Sequence, residues 1–184
     1  MSQSPDQPKR PARAANAAAP SGFEAEMLAL LPQLRRYSRS LTRSDSEGED
    51  LLQDCMEKAL VNRSQWRGTN LKAWACRIMT NLHLNARRAV SRRPAMALDD
   101  AAEIAEEPHN DDLLMNRRLR TALDTLPAET RAVLMLVVVE GYTYREVAEM
   151  LAIPQGTVMS RLSRARQSLR EKINTENVIP MRRP

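Results

Sequence analysis

The sequence predicts an all-α fold in which two small helical domains are joined by a flexible acidic linker. Apolar residues recur every three or four positions through most of the chain, as on one face of an α-helix. Aromatic residues make up only 3% of the chain and there are 5 glycines, unlike sheets rich in aromatic and β-branched residues. An acidic stretch without apolar periodicity separates two groups of predicted helices, which indicates two domains.

The charge of the chain favours a polyanionic partner. The 184 residues carry a formal net charge of +5, and the sequence pI is about 9.7. Arg dominates the basic residues and suits phosphates and guanine edges better than Lys does. Because the sign of the charge is weak evidence by itself, the class of partner has to be read from the motifs.

No metal site or cofactor is expected. Cys55 and Cys76 are the only cysteines, and no second histidine lies at ligand spacing from His83 or His109. We interpret the cysteines as small buried thiols in a reducing compartment. The chain has no apolar run of membrane-spanning length and no signal-peptide core, so a cytoplasmic protein is expected.

The first domain is predicted to span residues 22–93. Residues 1–21 before it are rich in Pro, Ala, Gln and Ser and are interpreted as a disordered tail. A helix from about Phe23 to Thr42 opens the domain, and Pro32 is expected to kink or break it. The apolar side of this helix consists of Met27, Leu30, Leu31, Leu34, Tyr37 and Leu41.

A second helix carries an acidic outer face. Ser46 and Glu49 form a capping box that predicts its start, and it runs to about Leu60. Its outer side carries four residues at helical spacing, called the acidic stripe below. The acidic stripe consists of Asp50, Gln53, Asp54 and Glu57. Such a stripe is either a solvated face or a docking edge for a basic helix of a partner.

The third helix becomes increasingly basic toward its end. It is predicted from about Leu71 to Arg88 and follows a polar turn that contains Trp66. Its predicted buried side consists of Leu71, Trp74, Ala75, Ile78 and Leu82. Cations near a helix C-terminus are favoured by the helix dipole. The functional alternative is a surface for the backbone and unpaired bases of a nucleic-acid strand.

The second domain is predicted to span residues 113–174. Residues 94–112 before it are acidic and are interpreted as a flexible linker, so that the two domains fold separately. The stretch from Leu113 to Leu126 suggests a helix that ends at a proline. Residues 128–140 suggest a second helix, buried at the centre of a small bundle. Gly141 is predicted to cap that helix, and 175–184 to form a loose tail.

The end of this domain predicts a helix-turn-helix. Thr143 and Glu146 form a capping box, so a short helix starts there. Pro154 cannot continue the helix, and a second helix begins beside it, with Gly156 predicted to let the two helices approach closely. The apolar face of the second helix consists of Val158, Leu162, Ala165 and Leu169. This second helix would enter a DNA major groove. The alternative is an ordinary helical hairpin with a solvated basic face.

The outer face of that helix offers side chains that read base edges. Arg161 and Arg164 lie one helical turn apart, and an Arg fork makes bidentate contacts with guanine. We expect at least one of the two to reach a base edge. Arg145 on the preceding helix is expected to hold the DNA backbone, which contributes affinity without sequence preference.

The two halves together resemble the extracytoplasmic-function (ECF) sigma factors of the sigma-70 family. The stretch from Leu126-Pro127-Ala128-Glu129 to Arg164-Ala165-Arg166 resembles their promoter −35-reading domain. Asp50-Leu51-Leu52-Gln53-Asp54 resembles their core-polymerase-binding helix, and Trp74, Ile78 and Asn81, with Asn85 and Arg88, resemble their −10-reading helix. The resemblance covers about Phe23 to Lys172, in the family's order.

The resemblance implies a dissociable subunit of bacterial RNA polymerase that is not an enzyme and binds no small-molecule substrate. Residues 22–93 would be the sigma region 2 domain, docking through the acidic stripe on a coiled coil of the largest subunit. Residues 113–174 would be the region 4 domain, lying on the flap of the other large subunit. An anti-sigma factor would restrain the protein.

The resemblance also implies two sets of residues that bind promoter DNA. The set expected at the −10 element consists of Trp66, Asn70, Lys72, Arg77, Asn81, Asn85 and Arg88. The set expected at the −35 element consists of Arg145, Thr157, Ser160, Arg161, Ser163, Arg164 and Gln167.

The runner-up is a helix-turn-helix transcriptional regulator that binds duplex DNA without core polymerase. Such a regulator needs a receiver or ligand-binding domain upstream, and the first half shows no alternating strands. An enzyme is disfavoured because no clustered His or Cys, Ser-His-Asp pattern or glycine-rich phosphate loop is present. An anti-sigma factor would not itself carry both promoter-reading elements.

Overall fold

The computed structural model describes residues 22–92 and 111–175, and these form helices connected by short turns. The helices are α1 Gly22–Leu41, α2 Asp45–Val61, α3 Leu71–Arg92, α4 Asp111–Asp124, α5 Ala128–Val138, α6 Tyr144–Leu151 and α7 Gln155–Thr175. A single turn of 3-10 helix, Arg63–Gln65, lies between α2 and α3. None of these helices combines the length and the apolar character needed to cross a membrane.

Helices α1 to α3 form the first bundle. Tyr37 of α1 is fully buried, and its hydroxyl lies 2.7 Å from the Thr80 hydroxyl of α3 in a hydrogen bond. Burial raises the pKa of Tyr37 well above its ordinary value, so this phenol stays protonated. The core around it consists of Met27, Leu34, Leu41, Leu51, Leu52, Cys55, Ala59, Leu71, Ala75, Cys76 and Met79.

Helix α1 passes through Pro32 without ending, so the break expected there is not found. Proline removes one backbone donor, which leaves the carbonyl of Leu28 without its usual partner. Both residues lie on the exposed side of the helix, where Leu28 is 52% exposed. Water can therefore reach the freed carbonyl, and the apolar side of α1 remains continuous.

Helix α2 begins earlier than its sequence predicts, because Ser44 and not Ser46 is the N-cap. The Ser44 hydroxyl accepts the backbone N–H of Glu47 at 3.2 Å. Glu49, predicted to complete the cap, instead accepts hydrogen bonds from Arg35 and Arg39 of α1. These two guanidinium groups hold the pKa of the exposed Glu49 carboxyl below its ordinary value.

A glycine allows α1 and α2 to approach closely, but it is not the glycine predicted for such a role. A Cβ at Gly48 would lie 2.9 Å from Cγ of Arg39 and 3.2 Å from its Cα. At Gly156, by contrast, a Cβ would have no neighbour within 4 Å. The prediction for Gly156 is wrong because this residue lies exposed in the first turn of α7, away from the contact with α6.

Helices α4 to α7 form the second bundle, in which α7 packs against the other three and α5 is buried along most of its length. The capping box of Thr143 and Glu146 is confirmed, and its hydrogen bonds lower the pKa of the Glu146 carboxyl. Gly141 after α5 has a φ of 77°, as its predicted capping role requires. Helix α6 ends one residue before Ala152, whose φ of 52° is left-handed, so the turn begins before Pro154 is reached.

Three predicted segments fall largely on residues that are not described. The tail at 1–21 and nearly all of the tail at 175–184 lie outside the described residues, as does the linker apart from its last two positions. Asp111 and Asp112, placed in the linker by the sequence, already belong to α4. The two described halves contact each other, through α1 and α3 on one side and α5 and α6 on the other.

Candidate nucleic-acid and partner interfaces

An open groove of about 730 Å³ lies beside the turn before α3. Four residues of the predicted −10 set line it: Trp66, Arg77, Asn81 and Asn85. Lys58, Asn62, Gln65, Arg67 and Thr69 complete its polar wall, although sequence periodicity gave no signal for them. The groove thus combines aromatic surface with amide and guanidinium groups, which suit stacking and edge contacts with an unpaired base.

The aromatic part of the groove is held in place by Phe23 at the start of α1. The Phe23 ring lies 5.4 Å from the ring of Trp66 and 6.2 Å from that of Trp74. The indole N–H of Trp66 donates to the carbonyl of Thr69 at 3.1 Å, which fixes the turn before α3. Trp66 is therefore pre-positioned with part of its surface facing the groove.

Trp74 was predicted to be core, and this holds only in part: the side chain packs against the core but is not enclosed by it. It is only partly buried and lines the groove together with Ile78 and Leu82. The buried face of α3 is rotated toward Cys76, Met79, Thr80, His83 and Leu84. The reason is tertiary: α3 packs against α1 and α2 and also against α5 and α6, so its contacts with the second half determine which face is covered.

The remaining three residues of the predicted −10 set lie away from the groove lining. Asn70 caps α3 locally, because its Oδ1 accepts the N–H of Ala73 at 3.0 Å. Lys72 and Arg88 face the second half of the molecule. Lys72 Nζ lies 2.8 Å from Oε2 of Glu140, and Arg88 Nε lies 3.7 Å from Oε1 of Glu129.

The acidic stripe on α2 is free for a partner to approach. Its members Asp50, Gln53, Asp54 and Glu57 are all exposed. The Gln53 amide donates to the Glu57 carboxylate at 3.0 Å, so these two side chains are aligned along the helix. Val61, three turns beyond Asp50 on the same helix face, is 81% exposed and adds an apolar end to the stripe.

Helix α7 presents the predicted base-reading face to solvent. Val158, Leu162 and Ala165 are buried against the bundle. On the other side Ser160, Ser163, Arg164 and Gln167 are exposed, whereas Thr157 and Arg161 are partly buried. Arg145 lies on α6 with its side chain 82% exposed and pairs with Glu149 one turn away at 3.4 Å. The structure therefore leaves most of the predicted −35 set accessible, with Arg145 on α6 and the others on α7.

Arg131 joins the two halves, and sequence reasoning missed it. Its side chain is 7% exposed, and its Nε and Nη2 donate to the carbonyls of Ser40 and Thr42, each at 2.8 Å. Its Nη1 donates to Asp124 of the same half. The sequence did offer one signal, a charged residue directly before the apolar run of α5. A charged side chain in such a buried helix needs hydrogen-bond or ion-pair partners.

One histidine and the two cysteines of the first half are held in their neutral forms by burial. Burial lowers the pKa of His83 to about 4 and raises the pKa of Cys55 and of Cys76 to about 12. His83 is thus an uncharged imidazole, and both thiols are inert. Within residues 22–92 and 111–175, no three His, Cys, Asp or Glu side chains are grouped so as to hold a metal ion.

Two family models match the two halves. Residues 116–169 match sigma-70, region 4, and residues 27–80 match the Sigma2 domain of PhyR. The ECF RNA polymerase sigma factor EcfG of Rhodopseudomonas palustris is 33% identical over 146 residues, which cover 78% of this chain and 81% of that protein. The chain belongs to the ECF sigma factors. SigM of Mycobacterium tuberculosis, another ECF sigma factor, is 32% identical, with 74% of this chain and 69% of that protein covered.

Solved structures agree with this ECF sigma factor fold. The sigma factor RpoE from Bartonella quintana, solved in complex with the anti-sigma factor NepR, is 30% identical with a TM-score of 0.63. The match covers 83% of this chain and 96% of that one. CnrH, solved with the cytosolic domain of CnrY, has a TM-score of 0.62 at 21% identity and supports the fold alone. The predicted all-α fold with two domains is confirmed.

Proposed function

We propose that this ECF sigma factor directs core RNA polymerase to promoters with a separate surface for each promoter element. The observation that carries the proposal is the presence of both surfaces in one chain. The groove beside α3 offers aromatic and amide side chains, and the exposed face of α7 offers arginines and hydroxyls. The protein acts as a DNA-binding subunit, without catalytic residues of its own.

The groove is suited to the −10 element after its strands separate. An unpaired base can stack on Trp66 and offer its edge to Asn81 or Asn85, while Arg77 meets the backbone. A base still inside a duplex could not reach a groove of this kind. The first half is therefore proposed to stabilise melted DNA.

The exposed face of α7 is suited to the −35 element as a duplex. The major groove of B-DNA admits an α-helix and presents a distinct pattern for each base pair. Arg164 and Gln167 are exposed on that face, and Arg161 is partly exposed beside them. Arg145, which lies on the preceding helix, is proposed to contact phosphate.

The acidic stripe is proposed to dock on a coiled coil of the largest polymerase subunit, and the second half on the flap of the other large subunit. The support is chemical: four exposed polar or acidic residues in a basic chain provide complementarity to a basic helix. An anti-sigma factor is proposed as a further partner, because the similar RpoE was solved with NepR bound.

In vitro transcription with purified core polymerase and a random promoter library tests this function. We expect a defined pair of promoter elements to be enriched, and duplex binding to be strong only when core polymerase is present. The runner-up, a regulator, would bind duplex DNA tightly by itself. That result, together with no transcript from any promoter, would reject the proposal.

A further inference from the structure

Glu140, which follows α5, is buried at the contact between the two halves. Its side chain is 0% exposed, with Lys72 Nζ at 2.8 Å from Oε2 and Arg36 Nη2 at 3.7 Å from Oε1. Neither carboxylate oxygen has a hydrogen bond of ordinary geometry within the described part of the chain. Desolvating a charge so completely costs more than an apolar contact would. Stability of the fold therefore does not explain its position.

A second carboxylate of the same half, less buried, also faces a basic residue of α3. Glu129 on α5 lies with its Oε1 3.7 Å from Nε of Arg88 on α3; the Arg88 side chain is 55% exposed and that of Glu129 34%. Two acids of the second half thus lie on two basic residues of one helix of the first half. Arg131 fastens this arrangement, because it donates across the contact to backbone carbonyls.

Of the three cations that these acids face, the two on α3, Lys72 and Arg88, belong to the −10 set. A carboxylate and a phosphate compete for the same Lys or Arg, since each accepts a charge-assisted hydrogen bond. We propose that Glu129 and Glu140 form an autoinhibitory contact, which keeps Lys72 and Arg88 from promoter DNA while the halves are closed. This inference rests on the proposed function, because it takes these two residues to bind DNA.

The contact weakens DNA binding without abolishing it. The groove residues Trp66, Arg77, Asn81 and Asn85 stay accessible in the closed arrangement. An unpaired base can therefore still enter, but the strand lacks two of its backbone contacts. Opening of the halves restores them, and because the linkage is reciprocal, a bound strand favours the open arrangement.

Neutralising the two acids provides the test. The variant Glu129→Gln/Glu140→Gln keeps the side-chain shapes and removes both charges. Opening is followed by energy transfer between dyes on cysteines at Leu28 and Met159, which are 52% and 54% exposed. Cys55 and Cys76, which are buried while the halves are closed, are replaced by Ala in every labelled protein so that opening exposes no other thiol. Binding of a single-stranded −10 oligonucleotide is measured with the unlabelled full chain.

We expect lower energy transfer and about tenfold tighter oligonucleotide binding for the double variant, within the usual range of coupling between sites. The exposed Glu26→Gln on α1 is a control for charge and should change neither. A second variant, Glu140→Lys with Lys72→Glu and Arg36→Glu, exchanges the charges of Glu140 and both of its partners and should keep energy transfer at the closed value. Circular dichroism verifies that each variant is folded.

Two results would overturn the inference: unchanged energy transfer, or an open double variant that binds the oligonucleotide no better than the parent chain. Transcription with core polymerase, run in parallel on the parent chain, reports on the proposed function separately. If it fails while the double variant opens and binds more tightly, the autoinhibitory contact stands and the role as a sigma factor is rejected.

Discussion

Replacing the buried Arg131 should separate the two halves at a measurable cost in stability. The change Arg131→Met keeps most of the side-chain volume and removes its five donors. The carbonyls of Ser40 and Thr42 then lose partners that lie at 2.8 Å, and Asp124 loses its counter-charge. Asp124 is 30% exposed and can recover water, whereas the two carbonyls become unpaired while the halves remain closed.

The size of the effect follows from those contacts. Hydrogen bonds from a charged donor contribute about 1.5–3 kcal/mol each, and removing one partner of a buried ion pair costs about 3–5 kcal/mol. We therefore expect the free energy of unfolding to fall by about 3–5 kcal/mol. The loss cannot be larger than the free energy with which the two halves dock. A larger penalty would separate the halves, and water would then solvate the two carbonyls.

Urea unfolding followed by circular dichroism measures the loss, and energy transfer between the halves detects the separation. Arg145→Met is the matched control: Arg145 also pairs with a carboxylate, but its side chain is 82% exposed. That variant should lose no more than about 0.5 kcal/mol. An Arg131→Met protein that loses under about 1 kcal/mol and stays closed would refute the reasoning, because the contact would then be solvated in solution.

Four further predictions concern the surfaces and the pH dependence of stability. Asp54→Arg should weaken core polymerase binding at least tenfold, as measured by fluorescence anisotropy, with unchanged helix content; undiminished affinity would reject the docking role of the acidic stripe. Asn81→Ala should reduce promoter opening without unfolding the protein, and normal reactivity of unpaired thymines in the open complex would contradict this. Arg164→Ala should cost about 1–3 kcal/mol of discrimination at one −35 position, whereas Arg145→Ala should weaken all promoters alike and lower the salt dependence. If Arg164→Ala also lowers affinity equally for every single-base promoter variant, Arg164 contacts only phosphate. Burial lowers the pKa of His83 from 6.5 to about 4, so as the pH falls the unfolded chain binds a proton at this residue before the folded chain does. The free energy of unfolding should therefore fall by about 2–3 kcal/mol between pH 6.5 and pH 4. His83→Gln should remove that slope in urea unfolding, and an unchanged slope would assign it to other groups.

Some of these features were accessible from the sequence because they are local. The capping box of Thr143 and Glu146 depends on residues three apart, and it is present as predicted. The apolar face of α7 and its exposed opposite face follow from helical spacing. Gly141 needs a left-handed φ because of the chain direction at a helix end. Such features do not depend on how the two halves are arranged.

Other features failed where two local signals competed. Ser44 and Ser46 both offered a capping side chain, and Arg35 and Arg39 of α1 decided the matter by engaging Glu49. Pro32 does not end α1, because it lies on the exposed side of the helix, where water can solvate the freed carbonyl. In each case the deciding partner lies on another element or in solvent, beyond the reach of local pattern.

By itself the sequence determined the order of the helices, the buried face of α7 and the exposed acidic stripe of α2. Only the tertiary structure decided that Trp74 lines a groove, that Lys72 faces Glu140, and that Arg131 crosses between the halves. The physical reason is that burial of a charge depends on partners distant in sequence. Arg131 and its acceptor Ser40 are 91 residues apart, so the spacing of apolar residues along the chain cannot predict their contact.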